Sequence, residues 1–488
     1  VEMLAQHFIT QPVFEALFEG YSFVQNNAMS KSMQGMVKIL NEQTPKEDNE
    51  KLERFYESVR ERAKDIDNAE AKQKIIVELY DKFFKTAFPK TVETLGIVYT
   101  PVEVVDFIIN SVEDVMQKEF GRSLSDENVH ILDPFTGTGT FIVRLLQSGI
   151  IKPEDMARKY KNELHACEIV LLAYYIASIN IENTYHDFIA EQIRKNNQSE
   201  EKEVDDYGYE LQNAAEDEHP IEAKVAYEPF EGICLTDTFQ MGEDNNELLE
   251  EVFPQNSKRV NKLKKTPITV IIGNPPYSVG QGAANDNAQN KHYRKLEESI
   301  TNTYAKAVNT TLKNSLYDSY IKAFRWSTDR ITDNGIIAFI TNSGWLISNT
   351  AAVFRKCLEN EFSKIYVFDL RGAIRGKAGE AARKEGGNIF DILTGVAITV
   401  LLKKKNEGTN AKASIWYKST DDYTTKKEKL DCCVKYSSVL KKRFERIIPD
   451  EYGGWLRKKN DKFGTFISLG EKKREDNTFF WLFAICSG

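Results

Sequence analysis

The chain has 488 residues, with 65 basic and 73 acidic side chains and a net charge of −8. Its 41% hydrophobic and 28% charged residues are ordinary for a globular protein, which excludes a disordered chain, a collagen and a small disulfide scaffold. At roughly 150 residues per domain, this length predicts two to four domains with full hydrophobic cores. The mildly acidic total gives no global sign of nucleic-acid binding.

Six scattered cysteines without a C-x-x-C pair predict neither a disulfide framework nor a thiolate zinc site, and we expect no metal centre. Reduced cysteines are typical of a cytoplasmic protein. No run of about 20 apolar residues predicts a membrane span, and no signal peptide is visible. The chain begins at Val1 rather than Met, so we expect it to be a section of a longer protein.

Residues 1–92 form the first predicted region. Apolar residues recur at helical spacing, as at Phe14, Leu17 and Phe18. Residues 46–74 carry mixed charges that are typical of a solvated helix face. The sequence therefore predicts an N-terminal helical domain.

From Gly96 onward, short apolar runs alternate with helical patterns such as 102–116 and 141–147. This alternation predicts an α/β fold, a doubly wound, Rossmann-like parallel sheet with helices on both faces. The predicted strands cover 129–132, 163–166, 232–235, 269–272, 335–341, 364–370 and 396–402.

Two stretches interrupt the alternation. Residues 187–251 carry twenty acidic and four basic side chains, which indicates a long exposed insertion between sheet elements. Residues 280–290 are small and polar and follow directly after a motif described below, so they form a candidate active-site loop.

The last part of the chain is basic. Residues 361–488 contain 26 basic and 17 acidic side chains. A basic run is usually a solvated face, and that alternative stays open. Interleaved aromatic residues nevertheless favour contact with nucleic acid. These aromatic residues are Trp416, Tyr417, Tyr436, Phe444 and Trp455.

The first segment with a chemical signature is an apolar strand, a Gly-x-Gly turn and a helix, between Ile131 and Phe141. Gly137 and Gly139 lack a Cβ, so the backbone turns tightly and approaches a ligand closely. A dinucleotide site would need a third glycine, which is missing, and Asp133 would repel a pyrophosphate. Asp133 suits a cationic amine, as in S-adenosylmethionine, although a purely structural turn stays an alternative.

The second segment is Asn274-Pro275-Pro276-Tyr277, at the end of another apolar strand. Two prolines make the loop rigid, so the Asn274 amide and the Pro275 carbonyl become fixed hydrogen-bond acceptors. Two acceptors would hold an exocyclic amine pyramidal and direct its lone pair at a methyl donor. Tyr277 offers a flat face for stacking on a base turned out of its helix.

These two segments resemble motifs I and IV of amino-type DNA methyltransferases, especially the adenine-N6 enzymes. Tyr99-Thr100-Pro101 resembles their motif X, which precedes motif I in the gamma-type order. The resemblance implies S-adenosylmethionine as cofactor and double-stranded DNA with a flipped adenine as substrate. It implies that Glu168 binds the cofactor's ribose hydroxyls and that Asp237 reaches its adenine.

The same resemblance supplies the complete set of candidate site residues. The cofactor-binding candidates are Tyr99, Thr100, Pro101, Asp133, Pro134, Phe135, Thr136, Gly137, Gly139, Thr140, Phe141, Glu168 and Asp237. The catalytic candidates are Asn274, Pro275, Pro276 and Tyr277.

Residues 369–372, 384–390 and 394–398 are similar to segments of type ISP restriction–modification enzymes. These are single chains of nuclease, helicase-like ATPase, helical coupler, methyltransferase and target-recognition domains. The similarity implies partnership with nuclease and helicase-like domains or subunits, although no Walker A pattern occurs here.

The implied domains are a coupler at 1–92, a methyltransferase at 93–405 with the acidic insertion at about 187–251, and a basic region at 406–488. That last region would be the start of a truncated target-recognition domain.

Other activities are weighed by their residue requirements. A cytosine-C5 enzyme needs a Pro-Cys pair, which is absent from the sequence. Cytosine-N4 transfer uses the same acceptor geometry, but Asn274 favours adenine because N4 enzymes more often have serine there. A protein glutamine methyltransferase and a fragment that binds cofactor or DNA without turnover both stay open.

Overall fold

The computed structural model describes residues 3–4, 6–7, 26–41, 57, 99–204, 227–243, 252–276, 292–306, 313–405 and 412–456. Most of the predicted helical region 1–92, Tyr277, the loop 280–290 and everything after 456 lie outside the described residues. Within 1–92, one helix, α1 (Ala28–Asn41), is described.

The described strands are β1 (Ile131–Asp133), β2 (Leu164–Glu168), β3 (Ile233–Leu235), β4 (Ile268–Gly273), β5 (Ile331–Asn342), β6 (Lys364–Arg371), β7 (Val396–Lys403), β8 (Ser414–Ser419) and β9 (Glu445–Ile447). Strands β1 to β7 lie where the seven apolar runs predict them, with ends that shift by a few residues, whereas β8 and β9 were not predicted.

The remaining described helices separate these strands. They are α2 (Val102–Phe120), α3 (Thr140–Gln147), α4 (Pro153–Arg158), α5 (Leu171–Val204), α6 (Pro254–Lys265), α7 (Arg294–Asn302), α8 (Ser319–Arg330), α9 (Ala352–Glu361), α10 (Gly379–Glu385) and α11 (Lys426–Tyr436). None of the described helices is both long and apolar enough to cross a membrane.

The described strands form one sheet in the order β3-β2-β1-β4-β5-β7-β6-β8-β9. Strands β1 to β5 pair in parallel, and β7 lies antiparallel between β5 and β6. The chain winds outward from β1 in one direction and then from β4 in the other. Ligands of doubly wound sheets bind at such a switch point, outside the carboxyl ends of the strands. We call this side of the sheet the carboxyl edge.

Apolar clusters cover both faces of the sheet. One face packs against α2, α3 and α5, and the other against α7, α8 and α9. The central strands are buried on both sides, so they consist of continuous apolar runs rather than alternating ones. The predicted α/β, doubly wound fold is therefore confirmed.

Helix α2 shows how the sequence sets an element. Val104, Ile108 and Val112 recur at three- or four-residue spacing and are fully buried against the sheet. The helix ends where Gly121 takes a φ of 62° and its N–H donates to the Gln117 carbonyl. This left-handed C-cap is the conformation that glycine adopts without strain.

The predicted acidic insertion at 187–251 includes described helix and strand residues. Residues up to Val204 continue α5, and residues 227–243 contain β3 and a short 3-10 turn, Thr238–Gly242. Acidic side chains do not distinguish a solvated helix face from an exposed loop, because both have the same composition. Residues 205–226 and 244–251 lie outside the described part.

The predicted boundary at 405 does not coincide with the end of the sheet. Strand β8 pairs in parallel with β6, and α11 packs on α2, so residues 412–456 complete the same sheet. Phe444 and Trp455 are buried in its cores rather than presented to nucleic acid, and the Trp455 indole donates to Glu359. A single parallel strand that joins a distant edge has no local sequence signature.

Because β8 is part of the sheet, its fully buried side chain, Ile415, should contribute to the free energy of unfolding of the whole domain. We expect Ile415→Ala to lower the free energy of unfolding by about 2–5 kcal/mol, because it opens a cavity in a packed core. Ile448→Ala is the matched control, since Ile448 is 70% exposed. Its effect should stay within about 0.5 kcal/mol.

Urea unfolding of both variants, followed by circular dichroism, measures the difference. Equal, small effects of the two substitutions on the main transition would mean that β8 is not part of the cooperative core.

Candidate functional site

Four strands end side by side at the carboxyl edge. Asp133 is the last residue of β1, Glu168 of β2 and Gly273 of β4, while Asp237 follows β3 by two residues. In the register, Leu132 lies opposite Ile271 and Glu168 lies opposite Leu235. The fold thus brings together residues that the sequence spreads over more than a hundred positions.

The glycine turn after β1 has the backbone that its sequence predicts. Gly137 and Gly139 take φ values of 56° and 86°. A Cβ on Gly139 would lie 3.2 Å from the Ala177 backbone on α5, so a side chain there is both strained and crowded. Asn180 donates to the Thr138 carbonyl at 3.0 Å and ties the turn to α5.

The other residues of this segment are divided between site and core. Thr136 is buried, and its N–H donates to the Cys167 carbonyl at 3.0 Å. Pro134 is buried, and its carbonyl accepts from the Thr238 hydroxyl. Thr140 begins α3, whereas the Phe141 side chain packs into the core, which leaves only its backbone at the turn.

Asp133 is a fully buried carboxylate. Its Oδ1 accepts from the Phe135 N–H at 3.1 Å, and its Oδ2 has no hydrogen-bond partner among the described residues. Burial raises the pKa of Asp133 to about 8, with a smaller contribution from the nearby Glu168. An orphaned carboxylate oxygen in the interior is a place where a cationic donor would be strongly stabilised.

Gly273 keeps the neighbouring strand close to this carboxylate. A Cβ at Gly273 would lie 3.0 Å from the Asp133 Oδ1 and 3.7 Å from Pro134. The glycine before the Asn-Pro-Pro sequence therefore lets the end of β4 lie directly against the end of β1. The two motifs found in the sequence meet at this contact.

Glu168 is buried as well, but both of its carboxylate oxygens accept hydrogen bonds. Its Oε2 accepts from the Gly137 N–H at 2.8 Å, and its Oε1 accepts from the Ile169 and Val170 N–H groups at 2.9 and 2.7 Å. Burial raises its pKa to about 7 despite these amide hydrogen bonds, which lower it. Glu168 thus fixes the glycine turn, and an ionised carboxylate retains lone pairs for a further donor.

Asp237 lies at the third strand end and is only half-buried. Its Oδ1 accepts from the Phe239 N–H at 3.1 Å and its Oδ2 from the Tyr293 hydroxyl at 2.9 Å. The Phe239 ring packs between Phe135, at 5.5 Å, and Tyr293, at 5.3 Å. An aromatic wall therefore stands beside the carboxylate.

Sequence reasoning missed Tyr293 and Asn180. Neither belongs to a motif: Tyr293 stands just before α7, and Asn180 lies inside the long helix α5. The signal that could have identified Asn180 is its position as a polar residue on the apolar half of α5.

Asn274 is joined to the segment before α2. Its Nδ2 donates to the Thr100 Oγ1 at 3.0 Å, a contact across 174 positions. Its Oδ1 is buried and has no partner among the described residues. Pro275 is buried and Pro276 half-buried, so the loop is held at the sheet. The site therefore offers a fixed, unused acceptor.

Tyr99 and Pro101 flank this contact. Tyr99 is 55% exposed, and Pro101 is the N-cap residue of α2. Within the described part of the chain, no three His, Cys, Asp or Glu side chains are grouped so that they would hold a metal ion.

Comparison with protein families gives two matches. The family model described as type ISP restriction-modification enzyme, coupler domain, matches residues 1–71. The model described as Eco57I restriction-modification methylase matches residues 160–373. No curated protein matches the chain.

Solved structures give the same picture. The ATP-dependent type ISP restriction-modification enzyme LlaBIII bound to DNA is 46% identical over 97% of this chain, with a TM-score of 0.84. A nuclease-deletion mutant of the type ISP enzyme LlaGI with a DNA substrate mimic is 43% identical, also over 97%, with a TM-score of 0.83. A DrdV–DNA complex is 32% identical over 93%, with a TM-score of 0.77.

The chain covers only part of these proteins: 30% of LlaBIII, 36% of LlaGI and 40% of the DrdV chain. The resemblance to the coupler and methylase section of type ISP enzymes is nevertheless confirmed over nearly the whole of this chain.

The buried carboxylate predicts an unusual pH dependence of stability. The pKa of Asp133 is about 8 in the folded protein, against 3.8 when unfolded. The folded state therefore keeps a proton that the unfolded state loses. The contribution to the free energy of unfolding is fully present below about pH 4 and is lost as the pH rises through 8.

We expect Asp133→Asn to abolish most of this loss, because asparagine keeps the shape and cannot ionise. Between pH 5.5 and 8.5, ligand-free wild-type protein should lose a few kcal/mol more than the variant, at about 1.4 kcal/mol per pKa unit. Asp333→Asn is the control, because Asp333 is exposed near the start of β5, away from the carboxyl edge. Urea unfolding at both pH values is the measurement, and parallel losses in all three proteins would refute the expectation.

Proposed function

Because this chain combines a type ISP coupler domain with an Eco57I-type restriction–modification methylase domain, we propose that it is the DNA-methylating section of such an enzyme. It transfers a methyl group from S-adenosylmethionine to N6 of an adenine in double-stranded DNA. One observation carries the proposal: the Asn274 Oδ1, just after β4, and the Asp133 Oδ2, at the end of the neighbouring β1, are both buried and have no partner among the described residues.

The residues at the carboxyl edge fit S-adenosylmethionine. Asp133 would receive the cationic amine, because its free oxygen needs a donor and repels any phosphate. Gly137 and Gly139 allow close backbone approach. Glu168 and Asp237 would accept from the ribose hydroxyls and from the adenine amine. When bound, the cofactor supplies an electrophilic methyl group on a sulfonium.

The other candidates support this site indirectly. Thr100 and Pro101 place the start of α2 against Asn274, and Phe135 forms part of the aromatic wall. The set of cofactor-binding residues is thus proposed as one continuous surface along the ends of β1 to β4.

The chain's own residues then act on the amine of the target base. The Asn274 Oδ1 and the Pro275 carbonyl accept the two N–H groups and turn the nitrogen lone pair away from the ring. The lone pair would then face the methyl group that the bound cofactor supplies, and after transfer the surplus proton would leave the nitrogen for solvent. Tyr277, which lies outside the described residues, is proposed to stack on the base.

Adenine is favoured over cytosine because the first residue of the loop is Asn274 rather than a serine. DNA is the proposed partner because the solved relatives contain DNA. Nuclease and helicase-like parts, on the same polypeptide or on other subunits, would complete the restriction–modification system.

A labelling experiment tests the proposal. The purified chain is incubated with mixed-sequence duplex DNA and S-adenosylmethionine that carries a tritiated methyl group, and the DNA is digested to nucleosides. The label should elute as N6-methyldeoxyadenosine. Label in N4-methyldeoxycytidine or in protein would identify another substrate, and no transfer to any acceptor would favour a fragment without turnover.

We predict that Asn274→Ala lowers kcat for methyl transfer about 10²–10³-fold, since it removes a preorganised acceptor. Calorimetric affinity for S-adenosylmethionine should change little, because Asn274 is not placed on the cofactor. Asn334→Ala, at the opposite edge of the sheet, is the control and should leave both values unchanged. A variant that keeps near-normal kcat would remove Asn274 from the catalytic role.

A further inference from the structure

The connection from β6 to β7, residues 372–395, leaves the sheet at the carboxyl edge. Strand β6 runs parallel to β5, because both pair antiparallel with β7, so Arg371 ends on the same side as Asp133. The backbone bends sharply there: Arg371 and Gly372 take φ values of 56° and 84°, and Asp391 takes 58°. Non-glycine residues in this region are costly and concentrate at functional sites.

A buried asparagine holds this connection rigid. The Asn388 Nδ2 donates to the Thr394 carbonyl at 2.7 Å and to the Gly372 carbonyl at 3.3 Å. Its Oδ1 accepts from the Phe390 N–H at 2.9 Å. The beginning and the end of the connection are thereby tied together, so its exposed tip is a fixed platform.

Arg375 stands on that platform in a turn formed by residues 374–377, which we call the Arg375 turn. The N–H groups of Ile374 and Arg375 both donate to the Leu393 carbonyl at 3.0 Å, and the Lys377 N–H closes the turn on the Ile374 carbonyl. The turn therefore lies four residues from the end of β6 and is anchored to the segment that enters β7.

Most cations of the connection have acidic partners. Arg371 pairs with Asp422, and Lys377 pairs with Glu385 at 2.5 Å. Arg375 is exposed, and its guanidinium has no hydrogen bond or ion pair among the described residues. Next to it, the Leu393 side chain is 51% exposed. An unneutralised guanidinium on a backbone held by hydrogen bonds, beside an apolar side chain, suits the phosphate and deoxyribose of a nucleic-acid backbone.

The Arg375 turn lies on the same side of the sheet as the Asn-Pro-Pro loop, and it follows a strand end that extends further out. Gly273, the last residue of β4, pairs with Phe339, but β5 continues to Asn342, which pairs with Val396. The Ser343 N–H then donates to the Gly395 carbonyl at 2.9 Å. Three residues correspond to about 10 Å of strand. The end of β5 and the start of β7 therefore extend beyond Asn274, on the side of the loop away from β1.

We propose that the Arg375 turn is a DNA-backbone contact beside the target base, in which the Arg375 guanidinium binds a phosphate and Leu393 packs on the adjoining sugar. The inference deepens the proposed function and rests on DNA as its substrate. A contact to the backbone positions the strand without reading sequence, so it should act equally on every duplex.

The experiment measures binding of the full chain to a fluorescein-labelled duplex of mixed sequence, by anisotropy, over a series of salt concentrations. Loss of one phosphate contact should lower affinity about tenfold or less at low salt and reduce the slope of log K against log salt by about one. We expect this for Arg375→Ala, while Arg375→Lys should restore most of the slope.

Lys405→Ala is the charge-matched control, because Lys405 is exposed just beyond β7 at the opposite edge of the sheet. It should leave the slope unchanged. An unaltered slope in Arg375→Ala, an equal change in Lys405→Ala, or no binding of the full chain to DNA would each overturn the inference.

A steady-state measurement separates this contact from the catalytic proposal. Arg375→Ala should raise KM for DNA and leave kcat and calorimetric affinity for S-adenosylmethionine unchanged. If the wild-type chain binds DNA with the Arg375-dependent slope but transfers no methyl group, the proposed function fails and the contact stands. If it methylates adenine and Arg375→Ala binds normally, only the contact fails.

Discussion

The site depends on one costly arrangement, a carboxylate buried at the centre of the sheet with one oxygen that has no partner among the described residues. Asp133 ends β1 at the point where the winding of the sheet reverses, so strands on both sides shield it from water. Burying such a group is unfavourable unless it stays protonated or receives a donor. A cationic ligand would therefore be stabilised beside Asp133, and the neighbouring glycines leave space for such a ligand.

The three acidic residues at the carboxyl edge differ because their surroundings differ. Asp133 is buried with one hydrogen bond, and its pKa rises to about 8. Burial raises the pKa of Glu168 to about 7 although three amide donors lower it, and these hydrogen bonds fix the glycine turn. Asp237 is half-buried beside an aromatic wall. One edge of the sheet thus provides three carboxyl groups in different surroundings, and we propose that they receive the three polar parts of one cofactor.

Much of this was predictable, for physical reasons. Fully buried strands are continuous apolar runs, and the turns after β1 and β4 need glycine and proline, so both leave local signals. The contact between Thr100 and Asn274 left none, since nothing local encodes a hydrogen bond across 174 positions. Strand β8 was not predicted for the same reason, since its pairing with β6 is not encoded locally. The acidic residues up to Val204 gave no sign that α5 continues through them, because charge reports exposure and not backbone conformation.

The most direct test of the account is the number of protons released when S-adenosylmethionine binds at pH 7. Calorimetry in buffers of different ionisation enthalpy measures it. Asp133, with a pKa of about 8, is protonated in the free protein, and a cation beside it should force ionisation. We expect the wild-type chain to release close to one proton per cofactor more than Asp133→Asn, because any release from Glu168 is common to both proteins. Equal release by both proteins would contradict this expectation.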